Sequence, residues 1–240
     1  MIPRSGTRVF KALAADKQQA VLQAALNEFA LHGYRKASMN NVVKAAGISK
    51  GSLFQYFRTK QALFDGVVGL AEGLARSYLR EMRDKTAGTP LRQRLERILR
   101  AGFIFIDQQP LLARIYFQLL HSGDAPFGSQ RIVTLRDQAQ EFLADLLRQG
   151  LEAKEIDPSV DVKRAAFLIN SLFETLLRAY YTDFLAPGLG LYQGNAKDLD
   201  HWVETTLEMI FNGLRPNRQQ SPESSQLVRG REKLNPEPFS

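Results

Sequence analysis

The chain has 240 residues, no cysteine, and 32 basic against 25 acidic side chains, a net charge of +7. That length buries the core of one or two domains, and the lack of cysteine excludes a disulfide framework, a thiolate metal site and a cysteine nucleophile. The charge is uneven: residues 1–60 hold ten Lys or Arg against Asp16 and Glu28, while the other 180 carry 22 basic and 23 acidic groups. A small basic unit joined to a near-neutral one is the electrostatic footprint of a nucleic-acid module, although a solvated basic face has the same composition.

In chain order, residues 1–15 form a basic arm, expected to be flexible. Asp16 followed by Gln19 gives an approximate capping box, and Val21, Leu22, Ala25, Leu26 and Phe29 follow at helical spacing until Gly33. Ser38 is placed to cap a second helix (Met39, Val42, Val43 and Ala46 inward) that Gly47 stops. Ser49 caps a third helix, about 49–57. Its Leu53 and Phe57 face inward, and Lys50, Gly51, Ser52, Gln55 and Tyr56 are left for the outside or its margins. Thr59 caps a fourth, long helix that keeps an apolar stripe to about Arg83, a rod able to join two modules. Helices are then expected over 91–108, 111–121, 129–151, 160–185 and 197–214, with a broken connection at 122–128. Strand patterns are nearly absent, and residues 215–240, rich in Pro, Gln, Ser and Glu, read as a disordered tail. The chain is expected to be all-α, with a helix-turn-helix domain at 16–64 and a second helical domain at 65–214.

Residues 38–60 carry four cations and no acid. Lys50 and Lys60 each fall in the first turn of a helix, where the macrodipole disfavours a cation by roughly 0.3–1 kcal/mol. The placement makes sense if phosphate docks on the free amides there and the ammonium adds a second contact. A short third helix suits entry into a major groove. There Gln55 matches an adenine edge and Lys50 a guanine, Ser52 and Tyr56 suit phosphates, and Gly51 lets the backbone approach closely. Phe54 fits packing or DNA contact equally. Arg4, Arg8 and Lys11 either follow phosphates nonspecifically or belong to a frayed terminus.

These residues resemble a known family. Phe29-Ala-Leu-His-Gly-Tyr, Ala37-Ser-Met and the run from Ala45 through Gly47-Ile-Ser-Lys-Gly-Ser-Leu-Phe-Gln-Tyr-Phe-Arg-Thr-Lys to Leu63 are similar to the DNA-binding domain of TetR-type transcriptional regulators, over about residues 16–64. The resemblance implies that Ser38 or Met39 opens the second helix, that Ser49, Lys50, Gly51, Ser52, Phe54, Gln55 and Tyr56 lie on the recognition helix, and that Lys60 meets a phosphate. The chain departs from the family pattern at Val43, where alanine is common, at Phe54, where tyrosine is usual, and at Gln61, where glutamate often stands. Phe54 thereby lacks a hydroxyl for one phosphate contact.

The resemblance further implies a helical regulatory domain that dimerises through its last two helices and encloses a small-molecule pocket. The helix at 160–185 is apolar nearly all round and must bury more than one face. Leu168, Leu172 and Leu176, with Trp202, Thr206 and Ile210 of the last helix, are candidates for a four-helix dimer seam, a fully enclosed core helix being the alternative. Phe103, Ile106, Tyr116, Phe117, Phe142 and Phe173 are candidates for an apolar pocket, with Arg114 and His121 near a polar headgroup; core packing accounts for the apolar ones equally well.

No enzyme constellation is present: His32, His121 and His201 lie far apart, and there is no phosphate loop, nucleophile elbow or metal-ligand spacing, so no cofactor is expected. The beginning of the chain has no apolar stretch of a signal peptide, and no apolar run nears the roughly 20 residues of a membrane span, which points to a cytoplasmic protein without a membrane partner. The rival reading is a helical lipid- or small-molecule-binding protein whose basic N-terminus serves another anionic partner. Interfacial burial would need large apolar groups among the cations, and here Gly, Ser and Gln alternate with them. The expected protein is a homodimeric repressor, released from a palindromic double-stranded operator by a small apolar or amphipathic effector.

Overall fold

The computed structural model describes residues 5–121 and 129–214, and among them there is no strand. In chain order the helices are α1 (Arg8–Lys11), α2 (Ala15–Lys36), α3 (Met39–Ala46), α4 (Lys50–Tyr56), α5 (Lys60–Lys85), α6 (Leu91–Gln108), α7 (Pro110–His121), α8 (Ser129–Glu152), α9 (Val162–Tyr181) and α10 (Ala196–Leu214). The protein is all-α. The connection at 122–128 and the tail at 215–240 lie outside the described residues. Among the described residues no helix is long and apolar enough to cross a membrane.

Side-chain caps set several boundaries. Ser49 accepts from the Ser52 amide, Thr59 from that of Ala62 and Asp161 from that of Arg164, while Gly47, at φ 64°, closes α3 in the left-handed conformation that a residue with a Cβ resists. Two expected caps differ. Asp16 does not cap: α2 starts at Ala15, and Asp16 sits in its first turn, where its charge complements the dipole. Ser38 holds the N-cap position of α3, but its hydroxyl makes no capping bond. Gly33, at φ 69°, breaks α2 internally, and one more turn follows to Lys36. The ninth helix stops at Tyr181, four residues before the expected end, and turns occupy much of 182–195.

Residues 7–14 are not a loose arm. Phe10 of α1 is fully buried against Tyr56 and Phe57, with ring centroids 5.9 and 4.7 Å away. Two apolar cores are present among the described residues. The N-terminal one joins Phe10, Phe29, Val42, Leu53, Phe57 and Phe64, and continues past residue 64 through Val67, Val68 and Ala71 of α5. It also takes Leu112, Ile115 and Leu119 from α7, whose Ala113 and Phe117 belong to the second core of α6–α10. The boundary expected at 64/65 therefore runs through continuous packing, and α7 is shared by both units.

Candidate nucleic-acid interface and interior cavity

The geometry of α3 and α4 is fixed from beneath. Glu28 of α2, a buried carboxylate, accepts from the Ser38 amide at 2.7 Å and from Asn41 Nδ2 at 3.2 and 3.3 Å, with His32 Nε2 3.9 Å away. The acid satisfies the amide of the N-cap residue itself, not the first-turn amides that the Ser38 hydroxyl leaves uncapped, and its charge favours the positive end of the α3 dipole. Sequence reading missed Glu28; its one signal was an acid inside the apolar stripe between Ala25 and Phe29. In α4, Leu53 and the following Phe57 are fully buried, which turns the opposite side outward.

That outward side carries most of the expected set. Ser49, Lys50, Gly51, Phe54 and Gln55 are exposed, and Ser52 and Tyr56 are half-buried. Phe54 is 40% exposed, so part of its ring is open to a partner. The Ser49 and Ser52 hydroxyls lie 2.8 Å apart, a pair that completes the cap of α4. Tyr56 leans on Phe10. Across the turn, Ser38 is half-buried, and Met39 packs its half-buried side chain against the N-terminal core.

Lys60 answers its unfavourable position within the protein. Its ammonium donates to the Arg35 carbonyl at 3.1 Å and lies 5.0 Å from the centre of the Tyr34 ring. The carbonyl end of α2 and an aromatic face thus offset the first-turn penalty. Two of the three ammonium protons remain beyond the Arg35 bond.

A cavity of about 180 Å³ opens among α5, α6, α7, α8 and α9. Five of the eight expected pocket residues line it: Ile106, Tyr116, Phe117, Phe142 and Phe173. Phe103 does not; it is buried edge-on against Tyr180, centroids 5.1 Å apart, because its position on α6 faces the interior of the second core. Arg114 also lies off the lining, on the Tyr181 side, and the side chain of His121 is outside the described residues. The polar groups of the wall are Tyr78, Tyr116, Asn170 and Glu174. Burial, and then the charge of Glu174, push the Tyr116 phenol up to about 12, so it stays a neutral hydroxyl. Glu174 pairs with Arg136 at 3.6 Å.

The expected seam residues divide. Leu168 is exposed, and Leu172 and Trp202 are half-buried; Leu176, Thr206 and Ile210 are buried in the protomer's own core, because they fall on the inward faces of α9 and α10. The Thr206 hydroxyl turns back onto the Trp202 carbonyl at 2.7 Å, and Trp202 Nε1 donates to the Leu189 carbonyl. Among the described residues of α9 and α10, the large apolar groups left outside are Phe167, Leu168 and Met209.

The profile described as "Bacterial regulatory proteins, tetR family" matches residues 21–67, which hold most of α2, all of α3 and α4 and the start of α5. The HTH-type transcriptional regulator AcrR of Shigella flexneri is 24% identical over 207 residues, which is 85% of this chain and 94% of that one. Among solved structures, a TetR family transcriptional regulator from Chloroflexus aurantiacus superposes with a TM-score of 0.66 at 24% identity, covering 88% of this chain and 99% of the other. FadR of Bacillus subtilis, in complex with stearoyl-CoA, does so at 0.64 and 18% identity, covering 82% and 99%. Residues 21–67 thus match the helix-turn-helix of the tetR family, and the chain as a whole is similar to HTH-type transcriptional regulators and has the helical fold of TetR-type structures.

Proposed function

We propose that the chain is a homodimeric repressor, released from a near-palindromic operator by a compact, largely apolar effector bound in the cavity. The DNA face comprises Ser38, Met39, Ser49, Lys50, Gly51, Ser52, Phe54, Gln55, Tyr56 and Lys60. Two copies of α4 enter successive major grooves, roughly 34 Å apart. The observation that carries the coupling is the position of α7: Leu112 belongs to the N-terminal core and lines the cavity, and Phe117 lines the cavity from the second core. The Gln118 side chain also donates to the Ala30 carbonyl of α2 at 3.1 Å. A ligand that parts the cavity walls therefore moves a helix built into the DNA-reading unit. It favours release only to the extent that it binds the released arrangement more tightly.

The cavity, about 180 Å³, is smaller than the roughly 300–1,000 Å³ of pockets for drug-sized ligands. Its lining favours a compact apolar molecule whose polar end bonds to Tyr116, Asn170 or Glu174; a chain as long as the stearoyl group held by FadR requires the helices to part. Exposed Phe167, Leu168 and Met209 support dimerisation, since unpartnered apolar groups on the last two helices gain by meeting a second copy. The test is a duplex selected by the full-length protein from a random pool. Binding as a dimer and release by compact apolar compounds is the expected result; a monomer, or a compound panel that neither raises the melting temperature nor releases the duplex, overturns it.

A further inference from the structure

The segment Gly6–Lys11 precedes the residues matched to the family and is built onto the far end of the recognition helix. A helix of seven residues such as α4 leaves its last carbonyls without intrahelical partners, and their orientation fixes the side chains beside them. Here the Leu53 carbonyl takes the Phe57 amide, but the carbonyls of Gln55 and Tyr56 find their partner far upstream, at Thr7. The Thr7 hydroxyl donates to the Gln55 carbonyl at 2.7 Å, and the Thr7 amide donates to the Tyr56 carbonyl at 3.0 Å. The same hydroxyl accepts from the Phe10 amide at 3.4 Å, so one oxygen caps the start of α1 and the end of α4 together.

Packing locks this arrangement. Phe10 has no exposed surface and stands against Tyr56 and Phe57, and Gly6 leaves it room: a Cβ on Gly6 would come within 2.6 Å of Phe10 Cδ1. At its other end the segment is tied down by Gln18 of α2, whose side-chain amide donates to the carbonyls of Lys11 and Leu13 at 3.3 and 2.9 Å. Thr7 therefore holds, through the backbone, the two residues assigned above to base and phosphate contact, Gln55 and Tyr56, and ties them to α2.

We propose that Gly6, Thr7 and Phe10 are positioning residues for DNA recognition: a clip that sets the angle and rotation of α4 in the groove and thereby determines sequence preference. The inference rests on α4 being the recognition helix. A clip of this kind acts on discrimination more than on the charge term, because the two residues it holds, Gln55 and Tyr56, are uncharged, the cations lie elsewhere, and base edges tolerate little rotation.

The test uses the full-length protein, a duplex it selects from a random pool, and a scrambled duplex of equal length. Failure of the wild type to select any duplex would be a failure of the regulator reading, seen before a variant is made. Thr7→Val, which removes the hydroxyl donor, is expected to lower the selected-to-scrambled affinity ratio about three- to tenfold with the salt slope unchanged. Thr7→Ser, which keeps the hydroxyl, restores the ratio. Gly6→Ala, which displaces the Phe10 ring, is expected to lower the ratio further. The clip is overturned if Thr7→Val leaves the ratio at the wild-type value. It is equally overturned if affinity for both duplexes falls in proportion to a lost folded fraction, which would make the segment merely structural. Phe10→Leu guards against a variant that does not fold: with the ring site refilled, a native melting temperature and a reduced ratio support the proposal, and a native ratio counts against it.

Discussion

Between Ser49 and Tyr56 the side chains offered to a partner are near neighbours in sequence and lie at or near the surface. Those lining the cavity come from five helices spread over residues 71–177 and face inward. In the first region a helical period and two caps decide which groups point out, so local sequence places them. In the second, what a residue faces depends on how helices far apart in the chain stack. The difference predicts different responses to mutation. The N-terminal unit should lose function when its few anchors go, and the bundle should lose ligand response when its space is filled.

The largest expected effect is at an anchor. Leu53→Ala empties a fully buried site beneath α4 and is expected to cost about 2–5 kcal/mol of stability, read from urea unfolding, with loss of duplex binding. Next comes Glu28→Ala, which strands the Ser38 amide and removes an acceptor of the Asn41 side chain. It is expected to cost about 1–3 kcal/mol and to weaken binding to every duplex alike, since it loosens the whole of α3. If Glu28→Ala proves neutral, the view that α3 is held from beneath by one carboxylate fails.

The residues proposed to face DNA sharpen the comparison further. Gln55→Ala should change the selected sequence at particular base pairs, worth about 1–3 kcal/mol against the wild-type site. Lys60→Ala should weaken all duplexes and flatten the log-log salt slope by about one. Part of the Lys60 effect will be structural, because its ammonium also holds the Arg35 carbonyl; a melting curve of the variant separates the two. On the other side, Ala139→Phe places a ring in the cavity and should abolish effector release while leaving duplex affinity within about twofold. A variant that loses DNA binding as well would show the cavity to be integral to the folded state rather than a separate ligand site.

The all-helical class, the boundaries of α6 and the αL stop at Gly47 were legible in sequence because each depends on residues within one helical turn. The exposed set on α4 was legible for the same reason. Glu28, Thr7 and Phe10 were not. Their partners lie ten, 48 and 47 residues away, and a basic, Gly-containing terminus looks the same in sequence whether it packs or frays. Inside the bundle, aromatic and aliphatic content named five lining residues but also Phe103, since a ring on α6 is equally suited to the core and to the wall. The alanines and glycine of the wall, Ala71, Ala75, Gly102, Ala113 and Ala139, make the space by being small, and nothing in a hydrophobic pattern marks them. On α9 and α10 an apolar residue reads alike whether it faces its own core or a second subunit, so Leu168 and Leu176 could not be separated without the packing.

The smallest predicted effect probes the element the two regions share. Gly69 lies inside α5, between Val68 of the N-terminal core and Ala71, which belongs to that core and also lines the cavity. A Cβ there meets nothing within 4 Å, so Gly69→Ala introduces no clash and should stabilise the protein by about 0.5–1 kcal/mol through helix propensity alone. A glycine with room for a side chain has no steric reason to be a glycine. If compliance of α5 at this point lets ligand-driven movement of the cavity wall reach the DNA-reading unit, Gly69→Ala will raise the melting temperature, leave duplex affinity unchanged and increase the effector concentration needed for release. If the melting temperature rises and release is unaltered, compliance of α5 at Gly69 plays no part in the coupling, which is then carried by other packed contacts such as those of α7.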